Sequence, residues 1–197
     1  MGNVTLGIPP ELGLAAKHAS GARVFIETGT YRCGTALWAA KQFEVVHTVE
    51  MYEDYFSRAK HGLAGHKNVT VWFGDSRIVL PTILQDLHEP IMFWLDAHWC
   101  GNAEISTGTP GECPLMEELA AIAERYDQGY EDVVLVDDAR LFVAPPPRPH
   151  DPAQWPTVEQ VQYAVRKLLG RPHAPVIVDD VIVLATPEAL HKMGLME

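Results

Sequence analysis

Cysteine, positive charge and long apolar runs are all scarce in this 197-residue chain, and each scarcity excludes a class of protein. The cysteines Cys33, Cys100 and Cys113 are an odd number without a close-spaced pair, which argues against a disulfide framework and favours a reducing compartment. No apolar stretch approaches the roughly 20 residues that span a bilayer, and the N-terminus lacks the pattern of a secretory signal. We therefore expect a cytoplasmic protein without a membrane partner.

The charge balance argues against a nucleic-acid partner. Lys and Arg number 15 against 26 Asp and Glu, which gives a net charge of −11, and no Lys/Arg run is present. Binding to nucleic acid rewards clustered positive charge, which this chain lacks. Its hydrophobic fraction of 47% is that of a globular protein, and its length favours one domain over residues 1–197.

Strand and helix patterns alternate along the chain. Near-continuous apolar or β-branched runs predict strands at 22–28, 44–51, 68–75, 90–99 and 131–139, and a terminal hairpin at 174–186. Helices are predicted at 34–42, 52–65, 76–88 (capped by Ser76), 114–126 and 157–170 (with a Thr157/Gln160 capping box). Loops are predicted at 101–114 and at 144–156, where the many prolines exclude regular structure.

This order of elements predicts an α/β fold. Alternating strands and helices give a mostly parallel sheet with helices on both faces, and the hairpin adds an antiparallel edge. Ligands of such sheets bind beyond the carboxyl ends of the strands. The candidate site residues are therefore those that follow each strand: Glu27, Thr28, Gly29 and Thr30; Glu50 and Met51; Asp75 and Ser76; Asp96 and His98; Asp137 and Asp138.

Three successive strand ends carry features that suit an adenosine-type ligand. The turn E-T-G-T-Y-R-C-G-T enters a helix through Gly29, Gly34 and Thr35, and glycine lets the backbone approach a ligand closely. Glu50 follows 21 residues after Gly29, where an acid can accept hydrogen bonds from ribose hydroxyls. Asp75 and Ser76 are placed to read an adenine edge.

In these features the sequence resembles the class I S-adenosylmethionine-dependent methyltransferases. The E-T-G-T-x-x-G-T turn, the V-E-M acid, the G-D-S turn and the final VIVDDVIVLAT hairpin carry the resemblance. It implies a Rossmann-like methyltransferase fold with a seven-stranded sheet and S-adenosylmethionine as cofactor. It also implies that the residues of the first turn lie near the methionine part, that Glu50 holds the ribose, and that Asp75 and Ser76 flank adenine.

An acidic cluster is expected where the fourth and fifth strands end. Asp96 follows one strand, and Asp137 and Asp138 follow the other, 41 residues later. Three converging carboxylates repel one another unless a cation lies among them, and such hard oxygen ligands suit Mg²⁺, Ca²⁺ or Mn²⁺. In the other interpretation only Asp137 faces the site and Asp138 caps a turn. A zinc site from His98, Cys100 and Cys113 is disfavoured, because their spacing matches no tight ligand pattern.

The same residues resemble the metal-dependent macrocin- and novobiocin-type sugar O-methyltransferases. These enzymes carry L-D-x-D after strand four and V-D-D after strand five, whereas this chain has Leu95-Asp96-Ala97-His98 in the first position. The resemblance implies O-methylation of a small-molecule hydroxyl with Mg²⁺, with Asp96 and His98 in catalytic roles. His98 replaces an acid, and it is either a general base or a further metal ligand. As a base beside a cation it is expected to titrate near or below neutrality.

Other functions stay open at this point. A nicotinamide-dependent dehydrogenase shares the topology, but the turn departs from the GxGxxG that a pyrophosphate requires. A cyclase or lyase acting on adenosylmethionine, or a module that only binds it, would use the same nucleoside pocket. A homodimer is an open expectation, and no residue pattern identifies the methyl acceptor.

Overall fold

The computed structural model describes residues 7–100, 111–126, 129–168 and 175–197. Its strands are β1 (Val24–Thr28), β2 (Val45–Glu50), β3 (Val69–Phe73), β4 (Ile91–Leu95), β5 (Val133–Val136), β6 (Val176–Val178) and β7 (Val181–Leu184). Its α-helices are α1 (Pro10–Ser20), α2 (Gly34–Gln42), α3 (Glu53–Gly62), α4 (Ser76–Leu84), α5 (Leu115–Tyr126), α6 (Arg140–Val143), α7 (Val158–Leu168) and α8 (Pro187–Lys192). Most of the loop predicted at 101–114 lies outside the described residues.

All seven strands form one sheet in the order β3-β2-β1-β4-β5-β7-β6. The pairs among β1 to β5 are parallel, and β7 pairs antiparallel with both β5 and β6. The predicted fold class, with its antiparallel terminal hairpin, is therefore confirmed. The strand order changes direction between the neighbours β1 and β4. Because β1, β2, β4 and β5 are parallel, their carboxyl ends lie along the same edge of the sheet.

The sheet is buried on both faces because alternate strand residues face opposite helix layers. On β1, Val24 and Ile26 join the core cluster that includes Leu119 and Ile122 of α5, whereas Phe25 joins the cluster that includes Ala16 of α1. In α5, Leu115, Leu119 and Ile122 recur at the helical spacing that points one face to the sheet. Both cores support the strand ends that carry the candidate site.

The structure differs from the sequence-based expectations at several helix ends. Asp75, not Ser76, caps α4: its carboxylate accepts the Arg77 N–H at 3.0 Å. The proline-rich segment contains a short 3-10 helix over Pro152–Gln154, where only a loop was expected, because proline is tolerated in the first turn of a helix. Helices α1, α6 and α8 were not predicted.

Other local predictions are confirmed. Thr157 N–H donates to Gln160 Oε1 at 2.8 Å and Gln160 N–H donates to Thr157 Oγ1 at 3.3 Å, which is the predicted capping box. Trp94 is fully buried in the core. Among the described residues, no helix is long and apolar enough to cross a membrane.

Candidate active site

The turn after β1 brings the ends of β1, β2 and β4 into direct contact. Gly29 has φ +86°, and its N–H donates to the Val49 carbonyl at 2.9 Å. A Cβ on Gly29 would lie 2.2 Å from the Asp96 carbonyl oxygen, a distance at which no side chain fits. Only glycine combines this left-handed backbone with so close an approach, so it is required for the packing of the turn.

Glu50 is fixed at the carboxyl end of β2 by two backbone groups. Tyr31 N–H donates to Oε2 and Tyr52 N–H donates to Oε1, each at 2.8 Å. Burial raises the pKa of Glu50, and these backbone hydrogen bonds oppose the rise. A carboxylate offers about four lone-pair sites, so Glu50 keeps acceptor capacity for a hydroxyl donor of a ligand. The side chain thus has the position and acceptor capacity predicted for a ribose contact.

Glu27 belongs to a buried hydrogen-bonded network at the same turn. The Thr48 hydroxyl donates to Glu27 Oε2 at 2.5 Å and also contacts the Thr30 hydroxyl at 2.5 Å. Burial raises the pKa of Glu27 to about 8, with a further contribution from the charge of Glu50 and opposition from the hydroxyls of Thr48 and Thr35. In the described part of the chain no Lys or Arg forms a salt bridge to Glu27 or Glu50. Two buried acids without a protein cation suit a positively charged ligand.

Thr35 and Met51 lie beside this network in different surroundings. The Thr35 hydroxyl accepts the Ile8 N–H at 3.2 Å and is buried, so it ties the segment before α1 to α2. Met51 is half-buried directly after β2. The predicted cofactor contacts of both residues stay predictions.

The turn after β3 is held by its own ion pair. Asp75 Oδ2 lies 2.6 Å from Arg77 Nη2, and Asp75 also caps α4, so its carboxylate is largely occupied. Ser76 is buried next to the carboxyl of Glu118 on α5. Glu118 was not among the site residues predicted from the sequence. Burial raises the pKa of Glu118, the Ser76 and Thr28 hydroxyls oppose the rise, and within the described residues Oε1 has no hydrogen-bond partner. The adenine contacts predicted for Asp75 and Ser76 stay predictions.

His98 joins the ends of β4 and β5. Its Nε2–H donates to Asp138 Oδ2 at 2.9 Å and lies 3.7 Å from Asp96 Oδ1, and its side chain is only 5% exposed. Asp137 is buried, its N–H donates to the Leu95 carbonyl at 3.1 Å, and its Oδ1 accepts the Asp138 N–H at 2.7 Å. The carboxylates of Asp96 and Asp138 therefore both lie near His98 Nε2, and the charge of Asp137 also acts on the imidazole.

The acidic neighbours change the titration expected for His98. Burial lowers its pKa, but the Asp138 hydrogen bond and the charges of Asp96, Asp138 and Asp137 outweigh burial and raise the pKa to about 9. The expectation of a pKa near or below neutrality assumed an adjacent metal cation; the acidic side chains by themselves shift the pKa in the opposite direction. The pKa of Asp137 rises to about 6 through burial and the charge of Asp138.

Arg140 and Asp180 complete the charge pattern around Asp138. Arg140 Nη1 lies 2.7 Å from Asp138 Oδ1 and also forms a close ion pair with Asp180 Oδ2. Asp180 lies in the turn between β6 and β7; its Oδ1 accepts the Arg140 N–H at 2.9 Å, and its carbonyl accepts the Ala139 N–H at 2.7 Å. Burial opposes ionisation of Asp138, but His98 and Arg140 together lower its pKa. Asp138 is thus an ionised carboxylate between two protein cations.

These contacts bear directly on the predicted metal. The carboxylates have the right chemistry for a hard cation, but both oxygens of Asp138 already contact a positively charged side chain. Within the described residues, no group of three or more His, Cys, Asp or Glu side chains is arranged to hold a metal ion. The described geometry therefore does not fit a metal, and the Mg²⁺ prediction is not confirmed. The three cysteines are free, and no zinc ligand set forms among the described residues.

Aromatic rings form one wall of the site. The Trp155 ring centroid lies 5.2 Å from that of His98 and 5.1 Å from that of His150, whose ring also contacts Trp99 at 5.3 Å. Trp155 Nε1–H donates to Glu112 Oε2 at 2.7 Å, which holds the proline-rich segment against the site. Trp155 also lines a cavity of about 740 Å³ between α5 and α7. Trp99, His150 and Trp155 thus form a chain of ring contacts that ends on His98.

Comparison with solved structures identifies the fold. The O-methyltransferase TomG from Streptomyces achromogenes, in complex with S-adenosylmethionine, is 21% identical, with 92% of this chain and 81% of TomG covered and a TM-score of 0.56. An O-methyltransferase from Bacillus cereus in complex with S-adenosylhomocysteine is 14% identical, with 92% and 83% covered and a TM-score of 0.55. The S-adenosylhomocysteine-bound methyltransferase PaMTH1 from Podospora anserina is 14% identical, with 91% and 88% covered and a TM-score of 0.55.

No protein-family model matches the chain, and no curated protein matches it in sequence. The structural similarities nevertheless cover 91–92% of this chain. The chain therefore has the fold of the class I S-adenosylmethionine-dependent methyltransferases, as the sequence predicted.

Proposed function

We propose that this protein is an S-adenosylmethionine-dependent methyltransferase that acts on a hydroxyl group of a small molecule. The observation that carries the proposal is the placement of Glu50 and the His98–Asp138 pair on one edge of the sheet. Glu50 supplies an oriented acceptor for a nucleoside, and His98 supplies a proton acceptor. S-adenosylmethionine and S-adenosylhomocysteine in the solved structures of similar fold support the cofactor assignment.

The chain's own residues suit each part of the cofactor. Glu50 accepts hydrogen bonds from the ribose hydroxyls, and a cationic ligand at the β1 turn offsets the cost of ionising the buried Glu27 and Glu50. When bound, S-adenosylmethionine supplies an electrophilic methyl group on a sulfonium. The turn at Gly29 is held by its hydrogen bond to Val49 and by close packing on Asp96, and such preorganisation reduces the entropy lost on alignment.

His98 acts as the general base in this proposal. Asp138 accepts the Nε2–H and so fixes the tautomer whose Nδ1 lone pair can take a proton from the acceptor hydroxyl. Asp96, 3.7 Å from Nε2, stabilises the imidazolium that results. The adjacent Trp155 restricts access of water to the ring, since it packs against His98.

The acceptor is a sugar or natural-product hydroxyl in this proposal. The aromatic wall of Trp155, His150 and Trp99 offers surface for a small molecule beside His98. TomG, one of the proteins with this fold, takes part in tomaymycin synthesis, which supports a natural-product acceptor.

A metal-assisted form of the same function remains a second candidate, because Asp96, Asp137 and Asp138 converge as hard oxygen donors. It requires Asp138 to exchange its contacts with His98 and Arg140 for a cation. Turnover that is lost in excess chelator and restored by Mg²⁺ would establish this form.

Product analysis tests the proposal against the other uses of the same pocket. The protein is incubated with S-adenosylmethionine and a panel of hydroxylated small molecules, and the nucleoside products are separated by chromatography. Adenosylhomocysteine formed in step with a methylated acceptor supports methyl transfer. Methylthioadenosine indicates a cyclase or lyase, and binding without turnover across the panel indicates a binding module; either result contradicts the proposal.

A further inference from the structure

The acidic cluster at the ends of β4 and β5 is neutralised by the chain itself. Asp138 contacts the His98 imidazole through Oδ2 at 2.9 Å and the Arg140 guanidinium through Oδ1 at 2.7 Å, so the chain's own side chains occupy both oxygens of the central carboxylate. Three neighbouring carboxylates without a cation would repel one another strongly. A divalent ion is one way to remove that repulsion, and a guanidinium held in the same place is another.

Arg140 is held in that place by a second acid, from a different part of the fold. Asp180 is buried in the turn between β6 and β7, and it contacts both the backbone N–H and the guanidinium of Arg140. Its carbonyl also accepts the Ala139 N–H, so the hairpin turn is joined to the end of β5 at three points. Acid and base thus alternate in the order Asp180, Arg140, Asp138, His98.

We propose that Arg140, positioned by Asp180, takes the role of the divalent cation at this acidic cluster, so that the His98–Asp138 pair works without a metal. The inference rests on the proposed methyltransferase function. Arg140 and Asp180 are positioning residues: the guanidinium holds the Asp138 carboxylate against His98, and Asp180 holds the guanidinium in place. A planar guanidinium is permanently charged and pairs with carboxylates in fixed geometry, which suits it to replace an ion.

The first experiment measures turnover with and without excess chelator. Wild type is expected to keep full turnover in chelator and to gain nothing from Mn²⁺. Asp180→Asn is expected to lower kcat by about 10–100-fold, the range that loss of an outer-shell partner costs at metal sites, with an unchanged adenosylhomocysteine Kd. Arg140→Lys, which keeps the charge, should retain more turnover than Arg140→Gln. Asp179→Asn, an exposed neighbour in the same turn, and the exposed Arg166→Gln are the matched controls.

The second experiment needs no methyltransferase activity. Binding of Mn²⁺ alone is measured by calorimetry on wild type and on the double variant His98→Asp/Arg140→Gln, which removes both side chains that contact Asp138 and adds one carboxylate. Wild type is expected to show no saturable binding, and the double variant to bind one Mn²⁺. Circular dichroism confirms that the double variant is folded, and the Arg140→Gln single variant provides a second measurement if it is not.

The outcomes separate this inference from the proposed function. Saturable Mn²⁺ binding by wild type, or loss of wild-type turnover in chelator, would overturn the inference while methyl transfer stands. Folded variants without Arg140 that neither bind Mn²⁺ nor lose turnover would overturn it as well. Absence of turnover in all proteins would contradict the proposed function instead, and the Mn²⁺ titrations would still decide whether Arg140 excludes a metal.

Discussion

At the scale of single residues, Glu50 gives the most direct test of the nucleoside pocket. Glu50→Ala should weaken adenosylhomocysteine binding by about 1.5–3 kcal/mol, the range for hydrogen bonds to a charged group. Isothermal calorimetry measures the loss. Glu53→Ala, at an exposed acid three residues further on, is the matched control and should leave the affinity unchanged. Equal affinities in the two variants would remove Glu50 from the site.

His98 should impose a pH dependence on turnover. Only the neutral imidazole accepts a proton. In the protein without ligand the pKa of His98 is about 9, because Asp138 and Asp96 raise it by more than burial lowers it. The rate should therefore rise with pH through an ionisation near that value, not near neutrality. His98→Ala should lose about 10²–10⁴-fold in turnover at nearly unchanged adenosylmethionine affinity, and His98→Asp should lose less. A pH–rate profile of each variant makes the measurement.

Three roles for His98 give different results in these variants. A base gives the loss of turnover described above. A metal ligand gives a higher metal requirement in both variants, and a packing residue under Trp155 gives lower melting temperatures with an unchanged rate per folded molecule. An Ala variant with wild-type turnover at every pH would end the base assignment.

Glu27 should make the stability of the fold depend on pH. Its pKa is about 8 in the folded state against an ordinary value of 4.5, because burial disfavours the charged form. Because the folded state binds this proton more tightly than the unfolded state, the stabilisation from Glu27 is fully present below pH 4.5. It is lost as the pH rises through about 8. Glu27→Gln imitates the neutral acid, so it should raise the free energy of unfolding by up to about 4 kcal/mol near pH 9 and by little near pH 4.5.

Denaturant unfolding at both pH values makes the measurement. The exposed Glu124→Gln is the control and should show no difference between them. A Glu27→Gln variant that is destabilised equally at both pH values would show that the network around Thr48 requires a carboxyl, and not that the charge of Glu27 is costly.

At the scale of elements, the strongly patterned segments are the ones that the sequence predicts well. Helix α2 spans Gly34–Gln42 as predicted, and β4 forms inside its apolar run, because burial on both faces demands continuous hydrophobic residues. Helix α1 escaped prediction because its buried residues are mostly small (Leu12, Gly13, Ala16 and Ala19) and no side chain caps its start. Its packing against the sheet and α8 supplies what its local pattern lacks.

The candidate site was predictable to the level of strand ends, and its contacts were not. Topology alone brings Asp96 and Asp138 together, because β4 and β5 are neighbours. Asp138 pairs with His98 from a left-handed backbone conformation, with φ +58° at Asp138. No sequence pattern predicts this conformation. Asp180 reaches Arg140 only because β7 returns antiparallel beside β5, and this link spans 40 residues. The sequence marks Glu118 only as one acid on the apolar side of α5, and this does not indicate a role in the site.

The β1 turn gives a prediction about how elements join. Gly29→Ala must strain a backbone at φ +86° and must also displace the end of β4, because the new Cβ would meet the Asp96 carbonyl. The expected loss of unfolding free energy is at least about 2–3 kcal/mol, since backbone strain alone costs 1–3 kcal/mol. Gly21→Ala is the matched control: φ is +63°, but no atom lies within 4 Å of the new Cβ, so only the strain is added. Equal losses measured by denaturant unfolding would show that the close approach to β4 costs nothing.

At the scale of the whole molecule, the strand order determines where chemistry can occur. The order β3-β2-β1-β4-β5-β7-β6 reverses direction between β1 and β4, and ligands of open α/β sheets bind at such a point. Glu50 and Gly29 lie on one side of this point, and His98 and Asp138 lie on the other. The fold therefore places a nucleoside contact and a proton acceptor on opposite sides of one crevice.

Ligand binding to this crevice should stabilise the entire fold. A ligand that binds only the folded state adds about 2.7 kcal/mol at a concentration of 100 Kd. For a chain of this size, 1 kcal/mol raises the melting temperature by roughly 2–4 °C, so adenosylhomocysteine should raise it by about 5–10 °C. NADH at the same concentration should give no shift, because the β1 turn departs from the glycine pattern that a pyrophosphate requires. In the same thermal scan Glu50→Ala should lose most of the shift and Glu53→Ala should keep it. A shift with NADH and none with adenosylhomocysteine would reassign the crevice to a dinucleotide and the protein to dehydrogenase chemistry.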